Sequence, residues 1–117
     1  MHIVFNVDNG FVPHMCVTIL SIIENCTETK PIFHVLTYNL SSENREYVSN
    51  LVTQKETSVH FYDVDVSKFE GFPLGEKTGN ARLTYAAYLR LVIPDVLPQE
   101  MDKVLYLDCD IVVINPI

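Results

Sequence analysis

Positive charge is scarce in this sequence: 8 lysines and arginines stand against 15 aspartates and glutamates, a formal net charge of −7. Such a chain has no basic footprint, which excludes a nucleic-acid partner or an anionic membrane held by charge. Cysteines number three, at 16, 26 and 109, with neither a CxxC pair nor an even set. That argues against a disulfide framework and for a reduced, cytoplasmic setting. No apolar run approaches the length of a transmembrane segment, and Met1-His2 leads straight into Ile3-Val4-Phe5 without a leader-like pattern. Glycine is sparse as well, and three of the four glycines (71, 75 and 79) fall in one segment. Internal repeats and low-complexity stretches are lacking too.

What is present suffices for one core and not two: 117 residues, 48% of them hydrophobic. His2 to Val7 reads as a first strand ending at the turn signal Asp8-Asn9-Gly10. A helix is expected from Phe11, with Cys16, Ile19, Leu20 and Ile23 on its apolar face and His14, Thr18, Ser21 and Asn25 on another. Pro31 to Tyr38 reads as a second strand, Ser41 as an N-cap, and Tyr47, Val48, Leu51 and Val52 as the buried stripe of a second helix. Val59 to Val64 makes a third strand. The order β-α-β-α-β implies right-handed crossovers and a parallel, Rossmann-like α/β sheet. Asp65 to Arg82 breaks the pattern, and a connection this long that leaves a strand's carboxyl end is expected to serve a ligand site. Leu83 to Ile93 then reads as a third helix stopped by Pro94, with Leu83, Ala86 or Ala87, and Leu91 on its apolar face.

The chain is organised around its last stretch, where Val104-Leu105-Tyr106-Leu107 runs into Asp108-Cys109-Asp110. Four apolar residues without alternation suggest a strand covered on both faces at the centre of the sheet. Ligands of parallel sheets bind beyond the carboxyl ends of the strands, where these two acids stand. Residues two apart in extended backbone point to one side, so Asp108 and Asp110 face one spot and Cys109 faces away. Two carboxylates held together call for a shared proton or a cation, and hard oxygens favour magnesium or manganese, with phosphate oxygens completing the shell. Asp8, ending the first strand, can join the same crevice.

Two enzyme classes place Asp-x-Asp at a strand end. In haloacid-dehalogenase phosphatases the motif belongs to the domain's first strand, and here it comes last, which disfavours that alternative. The other class is the nucleotide-sugar transferases. Six blocks carry a likeness to it over the whole chain: Ile3-Val4-Phe5 with Asp8; Cys16-Val17; Phe33-His34-Val35-Leu36; Phe69 to Leu74; Tyr88-Leu89-Arg90-Leu91 with Ile93-Pro94; and Asp102 to Asp110. Together they resemble the retaining family-8 glycosyltransferases, the group of glycogenin and the bacterial lipopolysaccharide galactosyl- and glucosyltransferases. The last two blocks are the specific ones.

The resemblance implies a GT-A fold, with residues 1–117 as its donor-binding N-terminal part. It implies a UDP-sugar donor, UDP-glucose or UDP-galactose, and Mn2+ or Mg2+ held by Asp108 and Asp110. Asp8 maps to a uracil contact, Phe11 to a ring on the base, and Asn6 and Val7 to pocket-lining backbone. Cys109 lies beneath the site within the donor-binding set, Arg90 reaches the sugar or its phosphates, and the 65–82 segment helps cover the donor. The implied reaction moves a hexose to a glycan or glycolipid acceptor with retention, in a cytoplasmic enzyme peripheral to the membrane. Asn9 and Gly10 depart from some relatives, which have an acid and an amide there. A third, histidine metal ligand and the catalytic residues are expected beyond residue 117. The chain then looks interrupted: a fragment that binds UDP and metal without turnover is the alternative, and surface left by an absent part would drive self-association.

Overall fold

The computed structural model describes residues 1–79 and 84–117, with the Lys77 side chain also undescribed. Four parallel strands form one sheet in the order β3-β2-β1-β4: β1 His2–Val7, β2 Ile32–Thr37, β3 Ser58–Asp63 and β4 Leu105–Tyr106. Helices α1 (Val12–Asn25) and α2 (Ser42–Gln54) make the crossovers on one face. Ile3, Phe5 and Val7 of β1 and Phe33 and Val35 of β2 pack there with Met15, Ile19, Ile22, Val48 and Val52. Val4 and Leu36 point to the other face, onto Phe69, Leu89, Val92 and Leu97. Successive residues of a strand thus feed two layers, which is why the inner strands read as unbroken apolar runs.

β4 departs from expectation. It is short and pairs only with β1, so among the described residues it is an edge strand, with Leu105 38% exposed. The unbroken apolar run is the signature of two covered faces, and this strand keeps an open outer edge. The third helix is also different. Tyr85–Val92 winds as a 3₁₀ helix, and Pro94, expected as a stop, sits in the first turn of a short α-helix over Ile93–Val96. A three-residue turn buries Leu89 and Val92 and leaves Leu91 exposed, contrary to the expected face; Leu83 lies outside the described residues. The 65–82 connection carries a 3₁₀ turn at Val66–Phe69 and a helical turn, α3, at Gly75–Thr78, while its residues 80–82 lie outside the described part.

Both long helices hold corrections. In α2, Ser41 caps as expected by accepting from Asn44 N, but Tyr47 is exposed and the stripe narrows to Val48 and Val52 with Leu51 partly covered. In α1 the buried set is Val12, Met15, Cys16, Ile19 and Ile22, with Leu20 and Ile23 only partly buried. Thr18, expected on a polar face, is fully buried, its Oγ1 2.7 Å from the carbonyl oxygens of both Cys109 and Ile111. Ser21 Oγ accepts from Val113 N at 3.0 Å, and Asn25 Nδ2 donates to Val113 O at 2.9 Å. This polar row gives the chain beyond β4 the hydrogen-bond partners that an adjoining strand would have supplied.

A histidine row crosses the amino end of the sheet, away from the strand ends that carry the acids. Buried His34 bonds His2 through Nε2 (2.9 Å) and the Tyr62 hydroxyl through Nδ1 (2.9 Å), and its ring stacks on His60. The ring is satisfied, as its place in a strand suggested. Burial first, then the neighbouring His2 and His60, lower the His34 pKa from 6.5 to about 4. The unfolded chain therefore takes up this proton at higher pH than the folded one. Stability is full above about pH 6.5 and falls between there and pH 4, by at most roughly 3–4 kcal/mol at about 1.4 kcal/mol per pH unit. Urea midpoints measured across that window show the slope, and His34→Gln flattens it.

Candidate functional site

β1 and β4 lie side by side, and both deliver their carboxyl ends to one cavity of about 270 Å³. Asn6, Val7, Asp8 and Phe11 line it from the first strand and the turn after it, and Tyr106, Asp108, Cys109 and Asp110 from the last. Thr84, Ala86 and Ala87 close the third side. The expected convergence of Asp8, Asp108 and Asp110 is thus present. It arises partly as foreseen: Tyr106 packs on the 3₁₀-helix face and Leu107 on the α1 face, and Asp108 and Cys109 continue that alternation. β4 has already ended, however, and Cys109 and Asp110 form a turn that brings the second acid to the same rim.

Each acid is held differently. Asp8 caps the 3₁₀ turn Asn9–Phe11: Oδ1 accepts from Phe11 N (3.1 Å) and Oδ2 from the Thr84 hydroxyl (2.9 Å). Asp108 Oδ1 accepts from the Tyr106 hydroxyl at 3.0 Å, and its second oxygen has no hydrogen bond among the described residues. Asp110 is exposed and has no hydrogen bond or ion pair among the described residues. Burial and then Asp108 push the Tyr106 hydroxyl up to about 12, against an opposing pull from Arg90. The Cys109 thiol is likewise raised to about 12, by burial first and then by the charges of Asp108, Asp110 and Asp8. The charges of all three acids thus act on one buried thiol.

That gathering fits a divalent cation. The donors are hard oxygens, and the three ion pairs among the described residues all lie elsewhere, so none of those pairs neutralises the acids. Asp108 and Asp110 have oxygens to offer, while no group of three or more metal-type side chains is close enough for a complete shell among the described residues. The fit is to an ion that takes its remaining ligands from a bound molecule.

The other expected residues divide. Phe11 lines the cavity with its ring 5.2 Å from that of His14. Cys109 is buried, its Sγ donating to Asn6 O at 2.8 Å. Arg90 is exposed at the end of the 3₁₀ helix and does not line the cavity, although its charge reaches Tyr106. Asn9 is consumed structurally: Oδ1 accepts from Ser41 N and Asn44 Nδ2, and Nδ2 donates to Asn39 O. Leu74, Gly75, Glu76 and Gly79 line a second cavity of about 530 Å³ with Tyr38 and Tyr85, and Thr84 belongs to both. The 65–82 connection therefore borders the space next to the acids. Tyr106, Thr84 and the Asn6 side chain were not foreseen. A tyrosine two before Asp108, and a lone amide in an apolar strand, were the available signals.

The thiols give a direct check. Cys16 and Cys109 are buried with raised pKa, while Cys26 is only half-buried. At pH 8, Cys26 is labelled by iodoacetamide well before the other two, as mass spectrometry of the time course will show.

Among the described residues no helix is long and apolar enough to cross a membrane. The family described as glycosyl transferase family 8 matches residues 2–117. The chain is 31% identical over 110 residues to a lipopolysaccharide 1,3-galactosyltransferase of Salmonella typhimurium, covering 94% of this chain and 31% of that protein. It is 28% identical over 112 residues to the lipopolysaccharide glucosyltransferase WaaO of Escherichia coli, covering 96% and 32%. The structure superposes on the galactosyltransferase LgtC, solved with donor and acceptor sugar analogues, with a TM-score of 0.85 and 34% identity over 98% of this chain and 40% of that one. The chain spans about a third of the length of the curated relatives it matches. Matched over all but its first residue, and folded as a Rossmann-like GT-A sheet, the chain belongs to glycosyl transferase family 8.

Proposed function

We propose that this chain binds the donor of a metal-dependent hexosyltransferase, which moves glucose or galactose from a UDP-sugar to a lipopolysaccharide-type glycan or glycolipid acceptor with retention. One observation carries the reading: Asp8, Asp108 and Asp110 rim a single cavity at adjacent parallel strand ends, and none of them is in an ion pair among the described residues. The names of the relatives, a galactosyltransferase and a glucosyltransferase, support the hexose.

In this reading Asp108 and Asp110 hold Mn2+ or Mg2+, which when bound supplies positive charge opposite the diphosphate that leaves. Tyr106 orients Asp108 by donating to one oxygen, and so keeps the other toward the cavity. Phe11 offers its ring to uracil beside the Asp8 carboxylate, which the Phe11 amide and Thr84 fix in place. Val7 lines the same wall through the backbone, Cys109 supports the floor, and Arg90 adds positive charge from outside for the phosphates.

Calorimetry with UDP, with and without Mn2+, tests the site, and release or transfer of hexose from UDP-glucose and UDP-galactose tests the reaction. UDP affinity indifferent to the ion would refute the reading. A chain that spans a third of its relatives favours a second reading, in which these residues bind UDP and metal without turnover. Tight metal-dependent binding with no hexose released decides for it.

A further inference from the structure

Asn6 is out of place in its own strand. It is only 8% exposed among apolar neighbours, and neither its Oδ1 nor its Nδ2 has a hydrogen-bond partner. A buried amide without partners is costly, and a leucine would fill the same volume without that cost. Its backbone is not the cause, because Asn6 O already accepts from Cys109 Sγ. The side chain lines the acid-rimmed cavity, on the sheet face that carries Val4 and the 3₁₀ helix. The β1–β4 register, continued two residues past the Val4–Tyr106 rung, sets it across from Asp108.

The other polar groups of the cavity are engaged or one-sided. Thr84 donates to Asp8 and accepts from Ala86 N, Tyr106 donates to Asp108, and the three acids only accept. Asn6 is the one lining side chain, among the described residues, with both a donor and an acceptor unspent. We propose that the Asn6 amide is a binding residue of this cavity, hydrogen-bonding with both its ends to adjacent hydroxyls of a sugar ring in the ligand. A phosphate would satisfy the amide nitrogen and leave Oδ1 orphaned, and an apolar group would satisfy neither. Neighbouring hydroxyls donate and accept at once, which matches an amide end to end. The ring is the ribose or the hexose of the ligand proposed above, and the assignment rests on that reading.

The test compares the unsubstituted chain with Asn6→Leu, using UDP, 2′,3′-dideoxy-UDP and UDP-glucose, all with Mn2+. In the ribose case UDP binds the unsubstituted chain at least tenfold more tightly than the dideoxy compound, and Asn6→Leu erases that ratio. In the hexose case Asn6→Leu leaves UDP unaffected and weakens UDP-glucose at least tenfold. In both cases the ligand-free variant has a higher urea midpoint, because an unsatisfied amide has been removed. A loss equal for all three ligands, which a contact to the base edge would give, overturns the proposal. So does no loss, or a lower midpoint. If the unsubstituted chain binds neither UDP nor UDP-glucose, the reading of the cavity fails and this proposal with it. If it binds them and only the leucine substitution is silent, this proposal fails alone.

Discussion

Asp110→Asn lowers the metal-dependent affinity for UDP at least about a hundredfold, a loss of roughly 2.7 kcal/mol. Asp110 is the acid of the three with nothing else to do: it is exposed and makes no bond among the described residues. An amide keeps its shape and one oxygen but removes the charge on which a hard divalent ion depends. The same change relieves repulsion among Asp8, Asp108 and Asp110 in the ligand-free chain, so the urea midpoint stays level or rises. Binding and stability then move apart, which general damage to the fold would not produce. Titrations with UDP and Mn2+, alongside urea unfolding of the same preparations, measure both. Unchanged affinity would remove these acids from the site.

Phe33→Ala produces the largest loss of stability, about 3–5 kcal/mol. Phe33 is fully buried in β2, with its ring stacked at 6.1 Å from Phe5 of β1, and both pack under α1 and α2. Truncation opens a cavity between two strands that cannot close without dragging the sheet. Domains of this size hold only about 5–15 kcal/mol in total, so the thermal midpoint falls by more than about 10 °C. Tyr47→Ala is the matched control. Its ring is 60% exposed, and its removal changes stability by about 0.5 kcal/mol or less. Circular dichroism melts of the two variants separate the outcomes.

Much of this architecture was legible because local patterns answer to local rules. The switch between apolar, β-branched runs and the helical period set out β1, α1, β2, α2 and β3 closely, and Ser41 announced its own cap. The meeting of Asp8 with Asp108 and Asp110 followed from strand ends in a parallel sheet. The failures share a cause. Thr18 looked like a solvent-facing residue, because its partners Cys109 and Ile111 lie ninety residues away. β4 looked central because an apolar run reports covered faces and says nothing of edges. Tyr85–Val92 was read at the wrong period, since Leu89 and Val92 sit three apart and the 3₁₀ turn rather than the α turn aligns them. Asn6 was placed at the cavity for its backbone, while its unpaired amide became visible only once its surroundings were known.

The row of Thr18, Ser21 and Asn25 along α1 has a consequence for the acids as well as for the fold. Asp108 and Asp110 are strung between two moorings: the rungs of β4 on one side and this helix on the other. Their backbone spacing is thus dictated by scaffold. In the reading proposed above, an arriving ion would meet two carboxylates already held by scaffold, with little freedom left to surrender on capture. Lengthening the tether by a single residue between Tyr106 and Val113 would spoil that arrangement without touching either carboxylate.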